Sequence, residues 1–424
     1  MKKINLILEE VLKKTKPVKE DLKNIEINLK DFLKKLNKKI KSSKLDADIL
    51  VGGSFAKKTI INRKVYDVDI FIRFNKKYEN ISRLTEKLLS GFKKTLIHGS
   101  RDYFLIKVNS RFILEVIPVI KIKKPEEAKN ITDMSPSHVN YIKKKLKSKK
   151  IVNEVIIAKS FCHANQCYGA ESYIKGFSGY GLELLVYHYG SFLKFIKAIT
   201  KIKDKDEKIV IDIEKHFKNK QEILMNLNAS KLQSPIIFID PTYKQRNVLA
   251  ALSKETFEKF KKICNGFLKN PNIGFFKEKI IDLEKIKRSA KITGKKFILI
   301  TLKTNKQKGD IAGSKFLKFY NHLVREISKY FQIKRSGFEY KEKKSARYFF
   351  VVKMKKEILL KGPRINDKKN IIAFKKKHKK TFSKGKRIYA KEKISFNIKN
   401  FIKSWTRKNK KTLQEMSMKN LKVV

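Results

Sequence analysis

Cysteine is scarce in this chain: Cys162, Cys167 and Cys264 are the three among 424 residues. They are too few and too badly spaced for a disulfide framework or a zinc site, and they fit a reducing compartment, so a cytoplasmic placement is expected. Long apolar runs are missing too. No stretch reaches the roughly 18 apolar residues that a membrane span requires, and Met1-Lys2-Lys3-Ile4 does not lead into the apolar core of a signal peptide. The expectation is a soluble protein without a membrane partner. The third shortage is of acids: Asp and Glu number 40 against 103 Lys and Arg, a net charge of +63. Such an excess creates a strong positive field, whose natural partner is a polyanion such as nucleic acid. Part of it has a bland source, because Lys far outnumbers Arg and Ile and Asn are abundant, as an AT-rich genome produces unselected. A hydrophobic content of 41% suffices for about two to four domains.

What is present centres on residues 51–74, VGGSFAKKTIINRKVYDVDIFIRF. The apolar Ile49-Leu50-Val51 breaks into Gly52-Gly53-Ser54, a strand entering a tight turn. Glycine lets the backbone approach a phosphate and turn where other residues clash. Ser54 adds a hydroxyl, and residues 56–58 can open a helix whose free N–H groups attract anions. Asp67-Val68-Asp69 follows and leads into an apolar run. On a strand, Asp67 and Asp69 point the same way while Val68 packs behind. Two such carboxylates repel each other unless a cation lies between them, and hard oxygen ligands suit Mg²⁺. Either half alone is bland, a plain turn or a solvated strand end. Together they describe a metal platform beside a phosphate-cradling turn.

The pair resembles the nucleotidyltransferase superfamily that includes DNA polymerase beta, in which a Gly-Ser turn precedes a metal-binding Asp-x-Asp or Glu-x-Asp. That resemblance calls for a third carboxylate on a neighbouring strand, and Phe112-Ile113-Leu114-Glu115-Val116-Ile117-Pro118 supplies Glu115. The family usually carries Asp there, and the extra methylene of Glu moves the carboxylate outward. A Glu on an edge, paired with a nearby Lys, is the bland alternative.

Further along, GFSGYGLELLVYHYGSF, preceded by YGAE and followed by IDPTYKQRNVLAALS, is similar to the archaeal (class I) CCA-adding enzymes. The likeness runs from residue 17 to 271, and more faintly to the end through KGPRI and FKKKH. It implies an α+β multidomain chain. Residues 1–136 would form a polymerase-beta-like nucleotidyltransferase head with a mixed sheet and helices. Residues 137–272 would form a mainly helical central nucleotide-binding domain, and residues 273–424 an α+β body and tail that binds tRNA. The implied function is template-independent addition of C, C and A to the 3′ end of tRNA from CTP and ATP, releasing pyrophosphate. Two Mg²⁺ ions would be held by Asp67, Asp69 and Glu115. Gly53, Ser54 and Lys57 fall where the family holds the triphosphate, with Lys57 at a position usually occupied by Arg. His138, Lys159 and Tyr168 match positions that contact phosphates or sugar, and Arg246 matches an arginine near the base. A structural His138, and an Arg246 that pairs with Asp240, are the plain readings beside these. The family's His-Pro-Tyr element is not visible beyond Tyr103. Two rivals stay open: a poly(A) polymerase or oligoadenylate synthetase-like enzyme, and an idle RNA-binding protein on the same fold. A homodimer is also left open.

Coarse patterning fills the rest. Residues 5–42 show amphipathic helices broken at Pro17, with Leu22, Ile25, Leu29, Phe32, Leu33 and Leu36 expected against the catalytic sheet. Residues 176–192 start with a glycine-rich turn and continue as a buried helix that by itself says core packing. The mixed-charge run 201–208 is expected as a solvated loop. Beyond residue 271, strands at 295–302 and 347–354 and a helix at 316–331 are expected, with basic and aromatic residues interleaved as on an RNA-binding surface. Lys375–Lys380 and Lys399–Lys411 grip phosphates or form solvated helices.

Overall fold

Every second residue of YDVDIFIRF is apolar, and on a strand that sends Tyr66, Val68, Ile70, Ile72 and Phe74 to one face. In the computed structural model, which describes residues 2–202, 208–278 and 280–424, all five are buried. They line a mixed sheet made of β1 (Ala47–Val51), β2 (Tyr66–Phe74), β3 (Lys94–Ile97), β4 (Tyr103–Lys107) and β5 (Phe112–Ile120), ordered β1-β2-β5-β4-β3. β2 and β5 run parallel, and the other neighbours are antiparallel. Of the two N-terminal helices, α1 (Lys2–Thr15) and α2 (Lys19–Ser42), the second covers this face. Ile25, Leu29, Phe32, Leu36 and Ile40 recur at helical spacing on it and are buried with the strand residues. α1 behaves differently: its Ile4 and Leu8 join a second core built farther along the chain. Between β1 and β2 lies the one-turn α3 (Gly53–Ala56), and α4 (Ile81–Leu88) follows β2.

That second core is helical. It takes α5 (Ser135–Lys145), α6 (Lys149–Ala164), α7 (Gly179–Tyr189), α8 (Phe192–Lys201) and, after β6 (Ile209–Ile211), α9 (Lys220–Asn226), β7 (Ile236–Asp240) and β8 (Tyr243–Asn247), the long α10 (Lys254–Lys269). Phenylalanines dominate it. The ring of Phe161 meets those of Phe192, Phe260, Phe267 and Phe276 at centroid distances of 5.2, 5.9, 5.9 and 5.2 Å. Phe161→Ala is therefore expected to lower stability by about 3–5 kcal/mol, measured by denaturant unfolding. A loss below about 1 kcal/mol would show that the aromatic cluster closes over the gap. The glycine-rich turn before α7 ends as expected: Ser178 Oγ accepts the Gly181 N–H at 3.1 Å and caps the helix. Of the mixed-charge run 201–208, residues 203–207 lie outside the described residues.

Both cores belong to one compact unit, Met1–Lys279; a second comprises Ile280–Val424. The second unit opens with α11 (Leu283–Ile292), β9 (Lys296–Thr304), α12 (Asp310–Tyr330), β10 (Phe331–Tyr340) and β11 (Ser345–Met354). Next come β12 (Glu357–Arg364), α13 (Lys368–Lys377), β13 (Thr381–Lys384) and β14 (Arg387–Lys393), then α14 (Ile398–Lys408), α15 (Lys410–Glu415) and β15 (Met418–Val423). Its main sheet is ordered β10-β11-β9-β15, and a small sheet is ordered β12-β14-β13. The basic stretch 399–411 is more than a solvated helix. Ile398, Ile402 and Trp405 on α14 are buried in the main core, while Lys399, Lys403 and Arg407 stay exposed. The last strand returns to pair with β9.

Candidate active site

The site begins where β1 ends. The Gly52 N–H donates to the Asp69 carbonyl at 2.8 Å, which lays the turn directly on β2. Gly53 has a φ of +61°, and a Cβ there would stand 1.5 Å from Asp69 Oδ2. A side chain at Gly53 would be strained by the backbone angle and would displace the Asp69 carboxylate. A Cβ on Gly52 would likewise strike the Phe71 ring at 2.2 Å. The helix expected to open at residues 56–58 is instead the single turn Gly53–Ala56, and Lys58 already has a φ of +57°. So short a turn has little dipole to offer an anion.

Beneath this turn, Asp67 and Asp69 share the β2 face opposite the buried one. The parallel register sets Asp69 beside Glu115 and Asp67 beside Ile113, so Glu115 lies on that same face. Burial, and then the charge of Asp67, push the Asp69 carboxyl up to about 6, against opposing pulls from Lys57 and Lys159. A buried acid raised by a like neighbour is a donor that favours a cation. The hard oxygens of Asp67, Asp69 and Glu115 are the chemistry that Mg²⁺ takes. Among the described residues no group of three or more His, Cys, Asp or Glu side chains is gathered closely enough to hold a metal ion, so the three acids match Mg²⁺ in donor chemistry and not in a preformed geometry.

Lys57 and Lys159, widely separated in sequence, meet on one acid that sequence reading missed. Glu183, fully buried on α7, accepts from Lys57 Nζ at 2.7 Å through Oε2. Through Oε1 it accepts from Lys159 Nζ at 2.8 Å and from Thr59 Oγ1 at 2.7 Å. Burial alone would push Glu183 up; Lys159 and Lys57 outweigh it and leave the carboxyl at about 2. Lys159 also donates to Thr59 Oγ1 at 2.8 Å and to the Thr59 carbonyl at 3.2 Å. The available signal was a lone acid in an otherwise apolar helix, GYGLELLVYHY.

A second acid gathers His138 and Arg246. Asp240, buried at the end of β7, accepts from Arg246 Nη1 at 2.7 Å through Oδ2, so the plain reading of Arg246 as its ion-pair partner holds. His138 Nε2 lies 3.0 Å from both that oxygen and Arg246 Nη1. Asp240 Oδ1 accepts from the Thr242 N–H and hydroxyl at 2.9 and 2.8 Å and from Tyr180 OH at 3.1 Å. Burial raises the Asp240 carboxyl, but His138 and Arg246 override it and hold it below the usual carboxylate range. His138 is itself kept below the ordinary histidine value, chiefly by burial, and its ring stacks on Tyr180 at 4.3 Å. Arg246 also lies over the Tyr180 ring, at 6.0 Å.

Tyr168 lies against the His163 ring at 3.9 Å. Burial, followed by Glu183, raises its hydroxyl above the ordinary value, with Lys57 and Arg63 opposing. Arg63 Nη2 is 2.6 Å from His163 Nδ1, a placement that no sequence signal announced. Burial first, then Arg63, lower His163 to about 3, so the imidazole is neutral. Lys57 bears electrostatically on Asp69, His138 and Tyr168 alike. Asp69, the acid that the lysine pair shares and the His–Asp–Arg group thus lie within electrostatic reach of Lys57.

Residues 153–277 match a family described as tRNA nucleotidyltransferase, second domain. A CCA-adding enzyme of Nanoarchaeum equitans is 37% identical over 286 residues, covering 66% of this chain and 67% of that one. One from Saccharolobus shibatae is 31% identical over 339 residues, covering 78% and 73%. One from Methanocaldococcus jannaschii is 29% identical over 401 residues, covering 91% and 87%. Among solved structures, an RNA terminal U-transferase superposes with a TM-score of 0.51 at 14% identity, over 66% of this chain and all of that one. A poly(U) polymerase solved with Mg and 3′-dATP gives 0.50 at 13% identity, over 64% and 98%. At such identities the structural likeness speaks for the fold alone.

Proposed function

The chain belongs to the archaeal CCA-adding enzymes, tRNA nucleotidyltransferases that add C, C and A to tRNA 3′ ends, and from that premise we propose how its own residues do so. Asp67, Asp69 and Glu115 hold two magnesium ions. The observation that supports this most is the register that sets Glu115 beside Asp69 on the face where the glycine turn lies. Magnesium bound there supplies Lewis acidity, making the RNA 3′-hydroxyl easier to deprotonate and steadying the triphosphate and departing pyrophosphate.

The protein's share is positioning and charge. The turn at Gly53 brings backbone and the Ser54 hydroxyl close to the triphosphate. Lys57 neutralises phosphate oxygens as a point charge, without the bidentate fork that an arginine would offer. Lys159, its three N–H groups already donated inward, acts as fixed positive charge behind them. Tyr168 and His138 bound the sugar and phosphates. Arg246, steadied by Asp240, faces the base and favours C and A over G and U. The substrates are CTP, ATP and immature or trimmed tRNA, the last held by the basic second unit.

The direct test gives the protein tRNA lacking its 3′ end, Mg²⁺ and each nucleotide singly, and sequences the product ends. CTP alone should add C residues, ATP should add A only after two of them, and UTP and GTP should add little. Long A tracts or 2′-5′ linkages would favour a different polymerase of this fold. In the same assay Arg246→Ala should raise UMP or GMP incorporation relative to CMP by about tenfold or more. Unchanged selectivity would remove Arg246 from base recognition.

A further inference from the structure

We propose that Glu183 is a positioning residue for nucleotidyl transfer, the buried counter-ion that aims Lys57 at the triphosphate. The inference rests on the reading above that Lys57 serves the nucleotide's phosphates. Three segments meet at this carboxylate: the stretch after the glycine turn brings Lys57 and Thr59, α6 brings Lys159, and α7 brings Glu183 itself. Its neighbours on α7, Leu182, Leu184, Leu185 and Val186, are wholly buried. One oxygen of the carboxylate balances the buried ammonium of Lys159, which accounts for an acid at this position; the other oxygen is given to Lys57, and that second contact is the one the proposal explains.

The two lysines are held differently. Lys159 is 3% exposed and spends its three N–H groups on Thr59 Oγ1, the Thr59 carbonyl and Glu183. Lys57 is 11% exposed and gives a single N–H, to Glu183 Oε2. Two donors of Lys57 remain for a ligand, and its direction is set by the one it has given. An ammonium on a four-carbon stem is otherwise free to wander. Two ammonium groups against one carboxylate leave a surplus positive charge facing the site, while the carboxylate keeps that charge from drawing the phosphates out of line.

Removing the negative charge while keeping the shape separates aim from attraction. In Glu183→Gln the local field becomes more positive, so ground-state attraction for a triphosphate does not weaken. The direction of Lys57 is lost, because an amide cannot accept through both ends. The expected result, with the full chain, trimmed tRNA and CTP, is a kcat lowered about 100-fold with KM for CTP unchanged or lower. An unchanged kcat, or a KM that rises, overturns the proposal. Should Glu183→Gln fail to fold, Glu183→Asp keeps the charge and loses the reach to hold both lysines; the same split is expected and the same outcomes overturn it. Lys57→Ala distinguishes the two levels of the argument. If it leaves both kcat and KM for CTP untouched, Lys57 does not serve the triphosphate, and that reading fails whatever Glu183 does. If either changes, the double variant decides: losses that fall short of additive place Glu183 upstream of Lys57, and fully additive losses remove it from that role.

Discussion

Asp69→Asn should abolish CMP and AMP addition, by on the order of 10³-fold or more, while tRNA is retained with unchanged affinity in a gel-shift titration. The substitution keeps the shape that abuts Gly53 and removes the charge proposed to hold magnesium. It should also make the metal-free protein more stable. The folded-state pKa of Asp69, about 6, lies above its ordinary 3.8, so the fold prefers the neutral acid. For a raised acid the sign is clear: the ionised form is penalised at neutral pH, and the penalty is relieved as pH falls through about 6. Melting at pH 7.5 in chelator should therefore occur at higher temperature in Asp69→Asn than in the parent, by about 2–4 °C for each kcal/mol relieved. Adding Mg²⁺ should raise the parent's Tm by ligand linkage and leave the variant's nearly unmoved. Retained turnover would end the assignment of Asp69 as a metal ligand. A lower Tm would end the claim that its charge strains the fold.

Replacing residues 357–393 with a short Gly-Ser linker should weaken tRNA binding by about 10–100-fold at ~0.15 M salt and flatten its salt dependence. That stretch is the small sheet β12-β14-β13 with α13, and it holds 14 Lys and Arg against three Asp and Glu. Every tRNA phosphate that the shortened protein no longer neutralises should reduce the slope of log K on log salt by about 0.9, while KM for CTP stays put. Unchanged affinity and slope would mean that these lysines are the solvated surface of an AT-rich genome's protein. Simply ending the chain at Leu360 would not test this. It would remove Ile398, Ile402, Trp405 and Met418 from the main core of the second unit, and with them the β15 strand that pairs with β9. Binding would then fall because the unit unfolds.

Local pattern carried far along this chain because periodicity states which face of an element is buried. YDVDIFIRF declared both its strand and the shared face of Asp67 and Asp69, and the spacing of Ile25, Leu29, Phe32 and Leu36 declared a helix on a sheet. Glycine at 52 and 53 was legible as a tight turn, and the structure adds that a Cβ there would meet Phe71 and Asp69. The pattern was weaker where one element serves two masters. α1 is amphipathic in its own right, but only packing sends Ile4 and Leu8 to the helical core rather than to the sheet. A charged stretch such as 399–411 conceals a buried Trp405, because lysines on one side of a helix mask the other side's contribution.

By itself the sequence determined the polyanion-seeking charge, the strand and helix periods, and the pairing of a glycine turn with two carboxylates. All of these are decided within a few residues. Tertiary structure alone decided that Glu183, which reads as one more core position, is the acid on which Lys57 and Lys159 converge, 126 and 24 residues away. It decided equally that Asp240 gathers His138 and Arg246. A buried charge must find its counter-charge, but which one it finds depends on how distant segments pack, and no local period encodes that.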